Sequence, residues 1–282
     1  MFEGFETAQI DGIHLRRAGS GPPVLLLHGY PQTHRMWSEV APGLVAAGAS
    51  VVCPDVRGYG DSHKPPGGEG SVNYSKRVVA QELLDVMAAL GHQRFAVVGH
   101  DRGGRVAYRM ALDHPQSITA LATLDIVPTL DQWDSMKGTA TVSGFHWSFL
   151  AQPHPFPERL IGADPGYFLR TMCQKWAGAP LANIEHYVAA FTDDAIRASC
   201  DDYRAGATVD VTVDRADRDA GRRITCPTLV LWGDPTGKRP SPLPIWQQWA
   251  LDVRGQALAC GHFLAEEAPT ETLAALVAFL TP

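Results

Sequence analysis

Five short, mostly apolar segments of the 282-residue chain constrain its fold more than any other feature. Strands that are buried on both faces of a parallel sheet carry such runs instead of alternating polar and apolar residues. Residues 75–90 have the apolar spacing of a helix that Gly91 ends, and residues 270–280 predict a C-terminal helix. Because such runs alternate with helical segments, they predict a doubly wound α/β sheet. The predicted strands are residues 23–27, 50–53, 95–98, 120–124 and 228–232.

Residues 128–219 interrupt this alternation, since they contain no clear buried strand and many polar residues. We interpret them as a mostly helical cap over the sheet. The predicted core domain then comprises residues 1–127 and 220–282, and the cap domain comprises residues 128–219. The proline-rich segments 65–68 and 240–244 are predicted to be loops.

Composition excludes several classes of function. The formal net charge is −6 and no cluster of Lys and Arg stands out, so we expect no nucleic-acid partner. No run of about 18 apolar residues is present, so no membrane-spanning helix is expected. The acidic amino-terminal segment does not resemble a signal peptide. The five cysteines include no CxxC pair, which indicates neither a metal site nor a disulfide framework and fits a cytoplasmic location.

The segment Gly99-x-Asp101-x-Gly103 follows a predicted strand and precedes a predicted helix at residues 105–112. This is the pattern of the strained turn that presents a nucleophile above a sheet, with Asp where esterases have Ser. Small residues on both sides allow the turn, and a helix N-terminus favours a carboxylate. We therefore predict Asp101 as the nucleophile; the alternative is an ordinary N-cap.

Two further parts of such a site can be predicted from chain order. His262 follows the last predicted strand, where a general base is expected. The backbone N–H groups of Tyr30 and Arg102 could converge on a developing oxyanion, whereas His28 is interpreted as a structural loop residue.

The acid that orients His262 is either Asp125 or Asp234, since each follows a predicted strand. Loops after the later strand usually read Trp-Gly-x-x-Asp, but Thr236 occupies the last of these places. Asp234 comes two residues too early, so we favour Asp125.

With these residues in place, the sequence resembles the α/β-hydrolase superfamily over nearly its whole length. Within it, the chain resembles the fluoroacetate (haloacetate) dehalogenases. The resemblance implies the α/β-hydrolase fold, with a helical cap after the sixth strand, and it supports Asp125 as the acid. The matching segments are HGYPQTHRMW (28–37), DVRGYGDS (55–62), GHDRGGR (99–105), LDIVPT (124–129), HWSFLAQP (146–153), DYRAGA (202–207) and GHFLAEEAP (261–269).

Arg102 and Arg105 are three residues apart on one helical turn and share a face. Two guanidinium groups beside a nucleophile suit a substrate carboxylate, although either could instead form a structural ion pair. The resemblance implies that His146, Trp147 and Tyr203 bind the departing halide and that Trp176 forms part of the pocket wall. Without it, His146, Trp147 and Tyr203 are interpreted as packing residues.

The activity implied is hydrolysis of fluoroacetate and chloroacetate to glycolate and halide through an ester of Asp101, with no metal or organic cofactor. A small haloacid is the expected partner, and the resemblance implies a homodimer. An epoxide hydrolase is the alternative, since it shares the triad and protonates its substrate from cap tyrosines, for which Tyr167, Tyr187 and Tyr203 are candidates. A ligand receptor without catalytic activity is a third hypothesis, which the intact triad disfavours.

Overall fold

The computed structural model describes residues 2–280 and contains an eight-stranded sheet with the order β1-β2-β4-β3-β5-β6-β7-β8. Strand β2 pairs antiparallel with both β1 and β4, and every other pairing is parallel. The strands are β1 (Glu6–Ile10), β2 (Ile13–Ala18), β3 (Pro23–Leu27), β4 (Ser50–Pro54), β5 (Phe95–His100), β6 (Ile118–Leu124), β7 (Thr228–Gly233) and β8 (Val253–Leu258).

Helices cover both faces of this sheet. Successive residues of β3 point to opposite faces: Leu25 and Leu27 belong to one apolar core, and Val24 and Leu26 to the other. The doubly wound, mostly parallel sheet predicted from the sequence is therefore confirmed. The helices outside the segment between β6 and β7 are α1 (Ala41–Ala46), α2 (Lys76–Ala89), α3 (Asp101–Asp113), α12 (Leu243–Trp249), α13 (Leu264–Glu267) and α14 (Pro269–Leu280), with 3₁₀ turns at His34–Trp37 and Glu69–Tyr74.

The chain between β6 and β7 contains eight helices and no strand over residues 125–227, all of which the structure describes. We call this helical part, residues 129–219, the insertion. The insertion follows the sixth strand, as predicted. The division of the chain into a core domain and a cap domain at residues 128–219 stays a prediction. Its helices are α4 (Thr129–Ser135), α5 (Thr139–Ser143), α6 (Phe145–Leu150), α7 (Phe156–Ala163), α8 (Pro165–Trp176), α9 (Ile184–Ala190), α10 (Asp193–Ala207) and α11 (Val209–Asp219).

Three strands at or next to the edges of the sheet were missed. Strands β1 and β8 carry mostly exposed or half-exposed residues, and β2 alternates, so none is a continuous apolar run. The sequence pair Asp11–Gly12 could have indicated a hairpin here, because Asp-Gly favours a two-residue turn. In the structure both residues have positive φ in the tight turn between β1 and β2. The predicted loop 240–244 was wrong at its last two residues, where α12 begins with Pro244 in its first turn.

The turn between β5 and α3 depends on two glycines. A Cβ atom on Gly99 would lie 2.5 Å from the Gly103 carbonyl oxygen, and one on Gly103 would lie 2.3 Å from that of His28. Both positions therefore require glycine for close backbone approach, which sets the direction in which Asp101 leaves the sheet. None of the described helices is long and apolar enough to cross a membrane.

Candidate active site

Asp101 is the first residue of α3 and has a φ of +45°, which is uncommon for a residue with a side chain. The backbone N–H of Tyr30 donates to its Oδ1 atom at 2.9 Å. Burial favours the neutral acid, but the nearby His262, His100 and Arg105 outweigh it and hold the pKa of Asp101 below its ordinary value. Asp101 is therefore an ionised, buried carboxylate at the carboxyl end of a central strand.

His262 lies beside Asp125, and its Nδ1–H donates to the Asp125 Oδ2 atom at 2.6 Å. The N–H of Gly233 donates to the other oxygen at 3.0 Å. Burial opposes a charge on His262, but the hydrogen bond and charge of Asp125, together with the charge of Asp101, raise the pKa of His262. The pairing leaves the Nε2 atom of His262 available for a proton transfer.

Asp234 has a different role from Asp125. Its Oδ1 accepts the backbone N–H groups of Thr236 and Lys238 at 3.3 and 3.1 Å, and its Oδ2 accepts that of Arg239 at 3.1 Å. These contacts organise the loop that follows β7. The structure thus places Asp125, and not Asp234, against the imidazole.

The two arginines that were predicted to act together are placed differently. Arg105 lines the cavity that contains Asp101; its Nη1 atom donates to the Val127 carbonyl oxygen at 2.9 Å, and its Nε atom is buried without a partner. Arg102 instead donates to the Asp202 carboxylate through Nε at 2.8 Å and Nη2 at 2.9 Å, and does not line that cavity. Only its buried Nη1 atom is unpaired.

Four aromatic side chains from the insertion line the same cavity: His146, Trp147, Trp176 and Tyr203. The guanidinium carbon of Arg105 lies 4.4 Å from the Trp147 ring centre, and that of Arg102 lies 4.2 Å from the Tyr203 ring centre. Burial lowers the pKa of His146 to about 3, so this imidazole is neutral at pH 7, and its Nδ1 atom is buried without a partner. The wall is therefore apolar in bulk but carries several hydrogen-bond donors.

The cavity has a volume of about 960 Å³ and opens between the insertion and the loop after β7. Among its lining residues, Asp101, Arg105, Trp147 and Tyr203 are buried, whereas Ser135, Ser143 and Pro240 are exposed. Such a concave site with a few convergent polar groups is typical of small-molecule sites.

One group of potential metal ligands occurs among residues 2–280: His14, His34 and Asp55. Both imidazoles are within hydrogen-bond distance of Asp55, at 3.1 and 2.8 Å, and the N–H groups of His34 and Asp61 also donate to it. With these four contacts, the carboxylate anchors a loop, and the cluster lies outside the lining of the Asp101 cavity.

Sequence reasoning missed two residues of the site. Arg239 donates through Nη1 to the Asp125 Oδ1 atom, and nothing in the sequence pattern of its loop indicated this contact. Glu267 accepts the N–H groups on both sides of His262, from Gly261 and Phe263 at 2.9 Å each, and that of Gly178 in the insertion at 2.7 Å. Glu267 therefore ties the loop of His262 to the insertion; the signal that could have revealed it is its place in the GHFLAEEAP segment.

The geometry can now be set beside known proteins. A family model described as the alpha/beta hydrolase fold matches residues 22–269. The chain belongs to the α/β-hydrolase family. It is 42% identical to a fluoroacetate dehalogenase from Burkholderia sp., over 100% of this chain and 95% of the relative. It is 32% identical to a soluble epoxide hydrolase from Corynebacterium sp. strain C12, over 98% and 96%. A crystal structure from Nostoc sp. PCC 7120, provisionally described as an α/β hydrolase, superposes with a TM-score of 0.95 at 46% identity and covers 100% of this chain and 99% of that one.

The partnership of Asp125 with His262 predicts the effect of removing either candidate acid. Asp125→Asn should lower the pKa of His262 by about one unit or more, because the hydrogen bond and the charge that raise it are both weakened. Asp234→Asn is the matched control and should not lower it. The measurement is a pH titration of the His262 ring signals by NMR. An equal decrease in both variants would show that Asp125 is not the specific partner.

Proposed function

We propose that this protein is a hydrolytic dehalogenase of small haloacids, with fluoroacetate and chloroacetate as substrates and glycolate and halide as products. One observation carries the proposal: the buried carboxylate of Asp101 shares a cavity with the paired His262 and with Arg105. A carboxylate is a suitable nucleophile for displacing halide from an alkyl carbon.

In the first step, a carboxylate oxygen of Asp101 attacks the α-carbon of the haloacetate. The new carbon–oxygen bond forms as the carbon–halogen bond breaks, and the halide leaves with the bonding electron pair. Because the Oδ1 atom is held by the Tyr30 N–H, the Oδ2 atom is the one that attacks. The result is an ester of Asp101 in which the ester group is uncharged and the substrate's carboxylate keeps its charge.

In the second step, water is deprotonated by the Nε2 atom of His262 and adds to the ester carbonyl of Asp101. The N–H groups of Tyr30 and Arg102 stabilise the oxyanion; that of Arg102 lies in the first turn of α3, where a helix has no internal acceptor for it. The bond between the Asp101 carbonyl carbon and the ester oxygen then breaks, and the imidazolium of His262 returns its proton to that oxygen. Glycolate leaves with an original oxygen of Asp101. The carboxylate regains an oxygen from water.

Arg105 is the residue best placed to bind the carboxylate of the haloacid. Its Nε atom is buried and unpaired, and it lies on the same first turns of α3 as the nucleophile. Arg102 is less suited to this role, because Asp202 engages its Nε and Nη2 atoms and the residue does not line the cavity. The unpaired Nε–H of Arg105 can therefore form a charge-assisted hydrogen bond with a substrate carboxylate.

The aromatic wall supplies donors for the departing halide. Fluoride is small and strongly hydrated, so its release into a dry cavity is costly unless hydrogen-bond donors meet the developing charge. The indole N–H of Trp147, the hydroxyl of Tyr203 and the neutral imidazole of His146 are available for this role. Stacking on Arg105 and Arg102 makes the rings of Trp147 and Tyr203 part of the same electropositive wall.

The relatives favour this reaction over its main rival. The fluoroacetate dehalogenase is the more similar of the two relatives described above, although the epoxide hydrolase also matches nearly the whole chain. Epoxide opening calls for two cap tyrosines, yet Tyr203 is the only tyrosine of the insertion that lines the cavity. Tyr167 is 69% exposed, and the hydroxyl of Tyr187 donates to Glu266 at 2.6 Å. The second tyrosine in the cavity, Tyr30, belongs to the core.

A substrate screen tests the proposal directly. The wild-type protein should release halide from fluoroacetate and chloroacetate and form no diol from styrene oxide. In His262→Asn the first step should still occur, so halide release should stop at about one halide per active site. The ester should then accumulate on Asp101, and mass spectrometry of the intact protein would detect it. Diol formation without halide release would identify an epoxide hydrolase.

The assignment of Arg105 predicts a loss that is specific to charged substrates. Arg105→Leu should cost about 2–5 kcal/mol in kcat/KM for chloroacetate, as for the loss of one side of a buried charge pair. The neutral chloroacetamide, assayed on the same variant, is the internal control and should lose far less. Equal losses on both substrates, in a variant that folds by circular dichroism, would remove Arg105 from carboxylate binding.

A further inference from the structure

The loop at residues 233–240 brings a positive charge onto the acid of the triad. Arg239 contacts the Oδ1 atom of Asp125 through Nη1, and the same nitrogen donates to the Gly233 carbonyl oxygen at 2.9 Å. The Asp234 carboxylate accepts the Arg239 N–H, as described above, and so fixes where the side chain begins. The position of the Arg239 side chain is thus fixed by its organised loop and by two acceptors, the Asp125 carboxylate and the Gly233 carbonyl oxygen.

This contact divides the charge of Asp125 between two partners. Its Oδ2 atom accepts the Nδ1–H of His262, and its Oδ1 atom is shared by Arg239 and the Gly233 N–H. A carboxylate that is also paired with a guanidinium attracts an imidazolium less strongly than a carboxylate that is not. Arg239 therefore opposes the effect by which Asp125 favours protonation of His262.

That opposition matters because the net effect of the surroundings is to raise the pKa of His262. Burial and Arg239 lower the pKa of His262, whereas the hydrogen bond and charge of Asp125 and the charge of Asp101 raise it. Once Asp101 is an ester, Asp125 is the carboxylate that keeps this effect. His100, on β5, and His146, on α6, also face it. A general base must be neutral to accept a proton from water, so any group that disfavours the imidazolium extends the pH range in which the base works.

We propose that Arg239 is a positioning residue that keeps His262 neutral, and the hydrolysis of the Asp101 ester fast, at lower pH than the triad alone would allow. This inference rests on the proposed function in that it assigns His262 to the second step. It places no demand on the first step, because halide displacement by the ionised Asp101 does not use His262 as a base.

The side chain of Arg239 is 46% exposed, so solvent screens its charge and the effect should be moderate. In Arg239→Gln, His262 should become protonated at a higher pH. The acid limb of steady-state turnover on chloroacetate should therefore move up by about 0.5–1 pH unit. The single-turnover halide burst should keep its rate, and turnover should recover at high pH.

Two variants serve as controls. Arg239→Lys keeps a positive charge at the same place and should restore most of the wild-type limb. Lys238→Gln removes a positive charge from the neighbouring residue, whose backbone N–H binds Asp234, and should move the limb much less. If Arg239→Gln lowers turnover by the same factor at every pH, or leaves the profile unchanged, the residue has only a structural role and the proposal is wrong.

The His262 ring signals, titrated by NMR in the wild type and in Arg239→Gln, provide a readout that needs no substrate. A higher pKa in the variant supports the proposal, and an unchanged or lower one contradicts it. If the wild-type protein released no halide from any haloacetate, the proposed function would fail. The titration would still decide whether Arg239 governs the protonation of His262.

Discussion

Two buried carboxylates at the ends of adjacent parallel strands impose the main constraint on this structure. Asp101 follows β5 and Asp125 follows β6, and both have positive φ, +45° and +54°. An ionised carboxylate is costly to bury unless donors and positive charges surround it. Tyr30, His262, Gly233 and Arg239 supply them here through hydrogen bonds, and Arg105 through its charge. The two strained turns, the loop of His262 and the loop after β7 therefore share one role: they stabilise the buried, charged carboxylates of Asp101 and Asp125.

Buried charges that need a partner also hold the insertion against the core. Asp202 on α10 binds both Arg102 of α3 and Lys76 of α2, and all three side chains are buried. Arg109 of α3 likewise binds Asp214 of α11 at 2.7 Å. Tyr203 follows Asp202 and its ring lies against Arg102. The ion pair between Arg102 and Asp202 therefore also helps to fix the position of Tyr203 in the aromatic wall. The wall that faces the substrate thus depends on a salt bridge outside the cavity. Glu267 adds a third link, from the insertion to the loop of His262.

The features that could be predicted from the sequence are those with a local cause. Continuous apolar runs identified the five buried strands, and the spacing of Gly99, Asp101 and Gly103 identified the turn that carries Asp101. The edge strands β1 and β8 could not be found in this way, because their exposed residues produce no apolar run. Counting residues in the loop after β7 favoured Asp125 over Asp234 for the place beside His262. No local pattern could show that Arg102 pairs with Asp202, or Arg239 with Asp125, since each pair is about a hundred residues apart in the chain. Helical spacing put Arg102 and Arg105 on one face, but tertiary contacts gave them different partners.

The central claim is that Asp101 becomes covalently bonded to the substrate, and isotope labelling tests it most directly. In a single turnover of chloroacetate in water enriched in ¹⁸O, with enzyme in excess, the new oxygen should enter the Asp101 carboxylate. The released glycolate should carry an unlabelled hydroxyl oxygen, because that oxygen comes from Asp101. Mass spectrometry of the peptide that contains Asp101 and of the product gives both answers. Label in the glycolate hydroxyl with none in Asp101 would mean that water attacks the substrate itself, and would contradict the account.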